Sequence, residues 1–86
     1  MPEICRFLGI VVTMHYDDHP PPHFHAKYGT FRVMIGLSDL RVLRGGLPPR
    51  VLGLLMEWAH QYRSELTANW IRARNKQLLE SIAPLE

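Results

Sequence analysis

Cysteine is nearly missing from this chain: Cys5 stands alone among 86 residues, so no intrachain disulfide can close. A reducing cytoplasm is the compartment that suits it, and the thiol reads as a small buried hydrophobe. Long apolar runs are missing too. The N-terminal apolar stretch, Phe7 to Met14, is far too short to cross a bilayer, follows no Lys/Arg cluster and precedes no small-residue cleavage site. Neither a membrane span nor a secretory leader is expected. Repeats, low-complexity tracts and linkers are also lacking. A strong charge of one sign is lacking as well: a net charge of +2 and a pI near 9.0 are too mild to name a nucleic-acid partner. With 86 residues and 47% hydrophobic composition, the expected organisation is a single small domain over residues 1–86. A chain of this size buries only about 60–65% of its unfolded surface, a slim margin that keeps a homodimer among the expectations.

Histidine, by contrast, is concentrated. Four of the five fall between His15 and His25, and no other segment gathers side chains able to bind metal, move protons or hold an anion near neutral pH. Pro20, Pro21 and Pro22 fix φ and favour extended backbone, so the loop that carries these imidazoles is short and stiff.

The run from Phe7 to His15 is rich in β-branched residues and reads as one buried strand. After the loop Tyr16 to Pro22, two alternating runs, His23–Tyr28 and Phe31–Leu37, flank Gly29-Thr30, the signature of a hairpin closed by a type II′ turn. That turn opposes Tyr28 to Phe31, Ala26 to Val33 and Phe24 to Ile35 on one face. On the other it opposes Lys27 to Arg32, His25 to Met34 and His23 to Gly36. A short strand, Leu40 to Arg44, follows and ends at Gly45-Gly46. Pro48-Pro49 opens a helical stripe running from Val51 to Ala73, as one long helix or as two with a break near Arg63-Ser64. Ile82 and Leu85 of the tail are expected to pack down in extended form. The fold class is therefore α+β: a small antiparallel sheet of three to four strands, covered on one face by a C-terminal helix or helix pair. Phe24, Ala26, Tyr28, Phe31, Val33, Ile35 and Trp58 are the expected core.

The opening Met-Pro-Glu-Ile-Cys-Arg-Phe-Leu-Gly-Ile, the central Asp18-His-Pro-Pro-Pro-His-Phe-His-Ala26, Glu57-Trp-Ala and Asn69-Trp70 resemble a small bacterial family catalogued as domain of unknown function 4160. His19, His23 and His25 stand at the family's motif positions. The resemblance implies a member of a two-gene, toxin–antitoxin-like unit with a small cognate partner protein; it implies no reaction.

Three readings of the histidine cluster remain open. In one, the second face of the hairpin contacts nucleic acid, RNA among its forms, or another phosphate ligand. Lys27 and Arg32, directly opposed, repel one another unless an anion lies between them. If such a site cut RNA, it would do so without metal: His23 and His25 would serve as acid and base, with Lys27 and Arg32 on the developing phosphorane charge. In the second, His19, His23, His25 and Asp18 bind Zn²⁺ or another transition metal, since side chains at i and i+2 of a strand share a face. In the third, the histidines cap the proline loop and the open face is a non-catalytic protein-interaction surface.

Overall fold

The computed structural model describes residues 2–85. Five strands, β1 (Glu3–Phe7), β2 (Ile10–Thr13), β3 (His23–Tyr28), β4 (Phe31–Gly36) and β5 (Val42–Gly45), are followed by helices α1 (Pro49–Gln61) and α2 (Arg63–Arg74). The strands form one sheet in chain order, every neighbouring pair antiparallel. The protein is α+β, but its sheet has five strands rather than three to four. The extra strand comes from splitting the first apolar run. Leu8 and Gly9 adopt φ of 49° and 82°, the pair of left-handed residues that a type I′ two-residue hairpin turn demands. The unbroken apolar pattern of Phe7 to His15 conceals that turn, and only Gly9 marks it.

The central hairpin has the register that its turn dictates. All six pairs, from Tyr28↔Phe31 to His23↔Gly36, are in place. Gly29 has φ of 60° while Thr30 is not left-handed, as a type II′ turn requires. Phe24, Ala26, Val33 and Ile35 are buried on the first face. Two of the expected core residues are not: Tyr28 is half-buried and Phe31 is 49% exposed. Both flank the turn, where a side chain has neighbours on one side only.

The first-face residues join a single buried cluster with Ile4, Ile10, Val12, Leu55 and Leu66. Trp58 of α1 is its largest member, fully buried, with ring centroids 5.6 Å from Phe7 and 6.0 Å from Phe24. Its indole N–H donates to the Ala83 carbonyl (2.8 Å), and the Ile82 N–H donates to Ile4 O (2.8 Å). The tail thus packs down without helix or strand, with Ile82 buried and Leu85 half-buried against the cluster. Asn69 is fully buried and clamps the same tail, its amide donating to Glu80 O and accepting the Glu80 N–H. A buried amide with all partners supplied costs little and specifies one packing.

The helical stripe is two helices. Pro49 opens α1, its fixed φ suiting the first turn. The break is at Tyr62 (φ −112°, ψ 28°), where Arg63 donates to the carbonyls of Leu37 and Ser38 just beyond β4. That anchor turns the chain where periodicity alone would let one helix continue.

Gly45 lies at φ 74°, and an added Cβ would run into the Arg32 carbonyl of β4. Gly45→Ala should therefore destabilise the protein by about 2–3 kcal/mol in urea unfolding. Gly53→Ala, on an open face of α1, should instead be neutral or stabilising by up to about 1 kcal/mol. Equal effects of the two changes would contradict this account of β5.

Candidate functional site

The site begins with strand alternation. Directly opposed residues of an antiparallel pair share a face, so the registers compose into rows crossing the second face of the sheet. One row is Glu3, Thr13, His25, Met34 and Arg44, spanning all five strands. The next is Arg6, Val11, Lys27 and Arg32. Between them lies a groove of about 600 Å³ whose lining includes His15, His25, Lys27, Arg32 and Arg44. Among the described residues, Glu3 is the one acid in that lining. It is already taken by Arg6, whose guanidinium lies 2.8 Å from its carboxylate and whose hydrogen bond holds that carboxyl below its ordinary value. Among the described residues, Lys27, Arg32 and Arg44 form no ion pair.

At one end of the groove the loop between β2 and β3 folds back over the sheet. Asp17 takes a left-handed conformation (φ 52°), which Asp tolerates better than most residues, and the Pro20–Pro21 bond is cis. Two contacts from beyond α2 and its last turn fasten this loop: Arg74 donates to Asp18 O, and Lys76 lies 3.5 Å from the Asp17 carboxylate. The result is a carboxylate surrounded by imidazoles. Asp18 Oδ2 is 2.9 Å from His23 Nε2, 3.2 Å from His25 Nε2 and 3.7 Å from His15 Nδ1. Its other oxygen, Oδ1, accepts the backbone N–H of His19. The rings of His15 and His25 stack in parallel, centroids 4.1 Å apart, and His23 meets His25 edge-on at 5.0 Å.

This arrangement redistributes the residues singled out from the sequence. His25, Lys27 and Arg32 line the groove on the second face. His23 belongs to that face by register but is not open to solvent. It is 4% exposed, with its ring centroid 5.2 Å from that of Trp70 on α2. Both of its nitrogens face oxygen acceptors, Nδ1 toward Pro21 O at 2.7 Å and Nε2 toward Asp18. His19 is exposed and contributes its backbone N–H rather than its ring. His15 takes the place expected for it. Its membership of the four-histidine stretch was the available signal; the loop path that brings it beside His25 had none.

Burial acts to raise the Asp18 carboxyl, but hydrogen bonds from His25, the His19 N–H and His23 outweigh it and hold the group at about 2. His15 is shifted down, first by burial and then by the charge of His25, with Asp18 pulling the other way.

Taken together, fold and site define a small α+β protein with a His/Asp cluster at the end of a basic sheet groove. The chain belongs to the family described as Domain of unknown function (DUF4160), which matches residues 9–71. No curated protein and no solved structure matches it. Among the described residues, no helix is long and apolar enough to cross a membrane.

Because Asp18 ionises at lower pH in the folded chain than its ordinary 3.8, its contribution to stability is present above about pH 4 and drains away as pH falls toward 2. Its side chain is 20% exposed, so screening reduces the effect to about 1–2 kcal/mol. Asp18→Asn should lower stability by that amount at pH 6, and the gap to wild type should close as pH falls from 4 to 2. Parallel stability–pH curves for the two proteins would refute the assignment.

Proposed function

We propose that the protein binds nucleic-acid phosphates in the groove on the second face of its sheet, with single-stranded RNA as the preferred form. The observation that carries this reading is the lining: Lys27, Arg32 and Arg44 face one groove without an acidic partner among the described residues, and Glu3, which shares it, is neutralised by Arg6. Like charges placed directly across a hairpin cost stability unless a counter-charge lies between them, and a phosphate supplies that charge with the right number of acceptor oxygens. The groove's volume, about 600 Å³, suits a short stretch of nucleotide rather than a single ion.

The reading is one of binding. His23 spends both ring nitrogens on Pro21 O and Asp18, which leaves no nitrogen for the acid–base partnership with His25 that RNA cleavage would need. The family resemblance adds a setting: a cytoplasmic protein working with a small cognate partner in a toxin–antitoxin-type pair. Co-purification with the neighbouring gene product tests that part separately.

Fluorescence anisotropy with a short labelled single-stranded RNA, read across a salt series, tests the groove. Binding should weaken steeply with salt, and Lys27→Ala, Arg32→Ala and Arg44→Ala should each lower the log–log salt slope by about 0.7. His60→Ala, on an exposed position of α1, should change nothing. Salt-independent retention, or equal affinity across the groove variants, would end this reading.

A further inference from the structure

We infer that His15, Asp18 and His25 form a binding site for one divalent transition-metal ion of the Zn²⁺ type. One ligand atom from each residue lies within 4.8 Å of the other two. The spacing fits a cation. With Zn–N and Zn–O bonds of about 2.0–2.2 Å, neighbouring ligand atoms of a tetrahedral site sit roughly 3.3–3.6 Å apart. Asp18 Oδ2 is 3.2 Å from His25 Nε2 and 3.7 Å from His15 Nδ1, so these edges are already close to the length a metal imposes.

Donor chemistry agrees with spacing. Two imidazole nitrogens and one carboxylate oxygen form a borderline set that suits Zn²⁺ and its first-row neighbours, and is too nitrogen-rich for Mg²⁺ or Ca²⁺. Asp18 is prepared to give a single oxygen, because its Oδ1 is occupied by the His19 N–H while Oδ2 faces the rings. The surroundings supply the outer support that metal ligands use. His23, fixed by its 2.7 Å contact with Pro21 O and nearly fully buried, reaches the same Oδ2 from the side of Trp70. It is a positioning residue for Asp18. Three protein ligands leave a coordination position, and since His15 and His25 line the groove, that position is accessible from it to water or to a ligand oxygen. The site stands on the convergence of these three side chains and does not depend on the nucleic-acid reading.

The ligand set also differs from the one expected of the motif. His19 is left out: its ring is exposed, and only its backbone N–H serves the site. This separates the proposal from nonspecific capture by a histidine-rich loop.

The test is calorimetric titration of untagged, chelator-treated protein with Zn²⁺, with Co²⁺ in parallel for its visible ligand-field bands, in the absence of nucleic acid. One equivalent should bind, with the intense bands of low-coordinate Co²⁺. His15→Ala and His25→Ala should each lose more than ~100-fold in affinity, His23→Gln ~10–100-fold, and His19→Ala should match wild type. Far-UV circular dichroism confirms that each variant is folded. Imidazole proton resonances of wild-type protein during the Zn²⁺ titration give a readout free of substitution: those of His15 and His25 should shift and those of His60 should not. Failure to bind a stoichiometric ion, undiminished binding by folded His15→Ala, or loss of binding in His19→Ala would overturn the assignment. Metal binding without RNA retention would count against the groove reading alone, and RNA retention without metal binding against this one alone.

Discussion

The two-residue turn Gly29-Thr30 is the constraint from which the rest follows. It pins β3 to β4 with a side-chain period of two, so a slip of one residue would exchange the faces entirely. In the observed register Phe24 and Ala26 enter the buried cluster while His25 and Lys27 emerge on the opposite side. Because β2 and β5 pair with the outer edges of this hairpin, their alternation inherits the same phase. A basic groove on one side and an aromatic core on the other are two consequences of one turn.

The loop before β3 performs a second task. It carries a carboxylate to the edge of the imidazole rows, and it is held there by contacts that do not belong to the sheet. Arg74 and Lys76 fasten its backbone and Asp17, and Trp70 closes over His23. Helix α2 and the residues just after it are thereby part of the site's construction, although none of their described residues lines the groove. Asn69 and Trp58 extend the same arrangement by binding the tail through Glu80 and Ala83. An isolated β-meander would lack the means to keep Asp18 beside its three histidines.

Charge in this small protein is organised by neighbourhood rather than by total. On the second face of the sheet, the net charge of +2 conceals a division between acids that are engaged and bases that are not. Glu3 is held by Arg6, and Asp18 by histidines. Lys27, Arg32 and Arg44 remain beside the groove without ionic partners among the described residues. The field over that face is therefore more positive than composition alone conveys, and the Asp18 carboxylate sits at its edge as a negative charge beside three imidazoles.

Much of the local structure was legible in the residues. The hairpin with its six pairs, the helix opening at Pro49, the packing of Ile82 and the facing of His25, Lys27 and Arg32 all follow from turn chemistry and period, which act between residues close in sequence. Leu8-Gly9 escaped because an apolar run with one glycine reads the same whether it is one strand or two. Beyond the place of His15 in the four-histidine stretch, the exchange of His19 for His15 and the burial of His23 had no local signature. They depend on the direction in which a rigid loop leaves β2, and that direction is held by partners such as Arg74, 56 residues away from Asp18. Patterning within the chain decides which side chains share a face; only the closing of distant segments over that face decides which of them meet at one carboxylate oxygen.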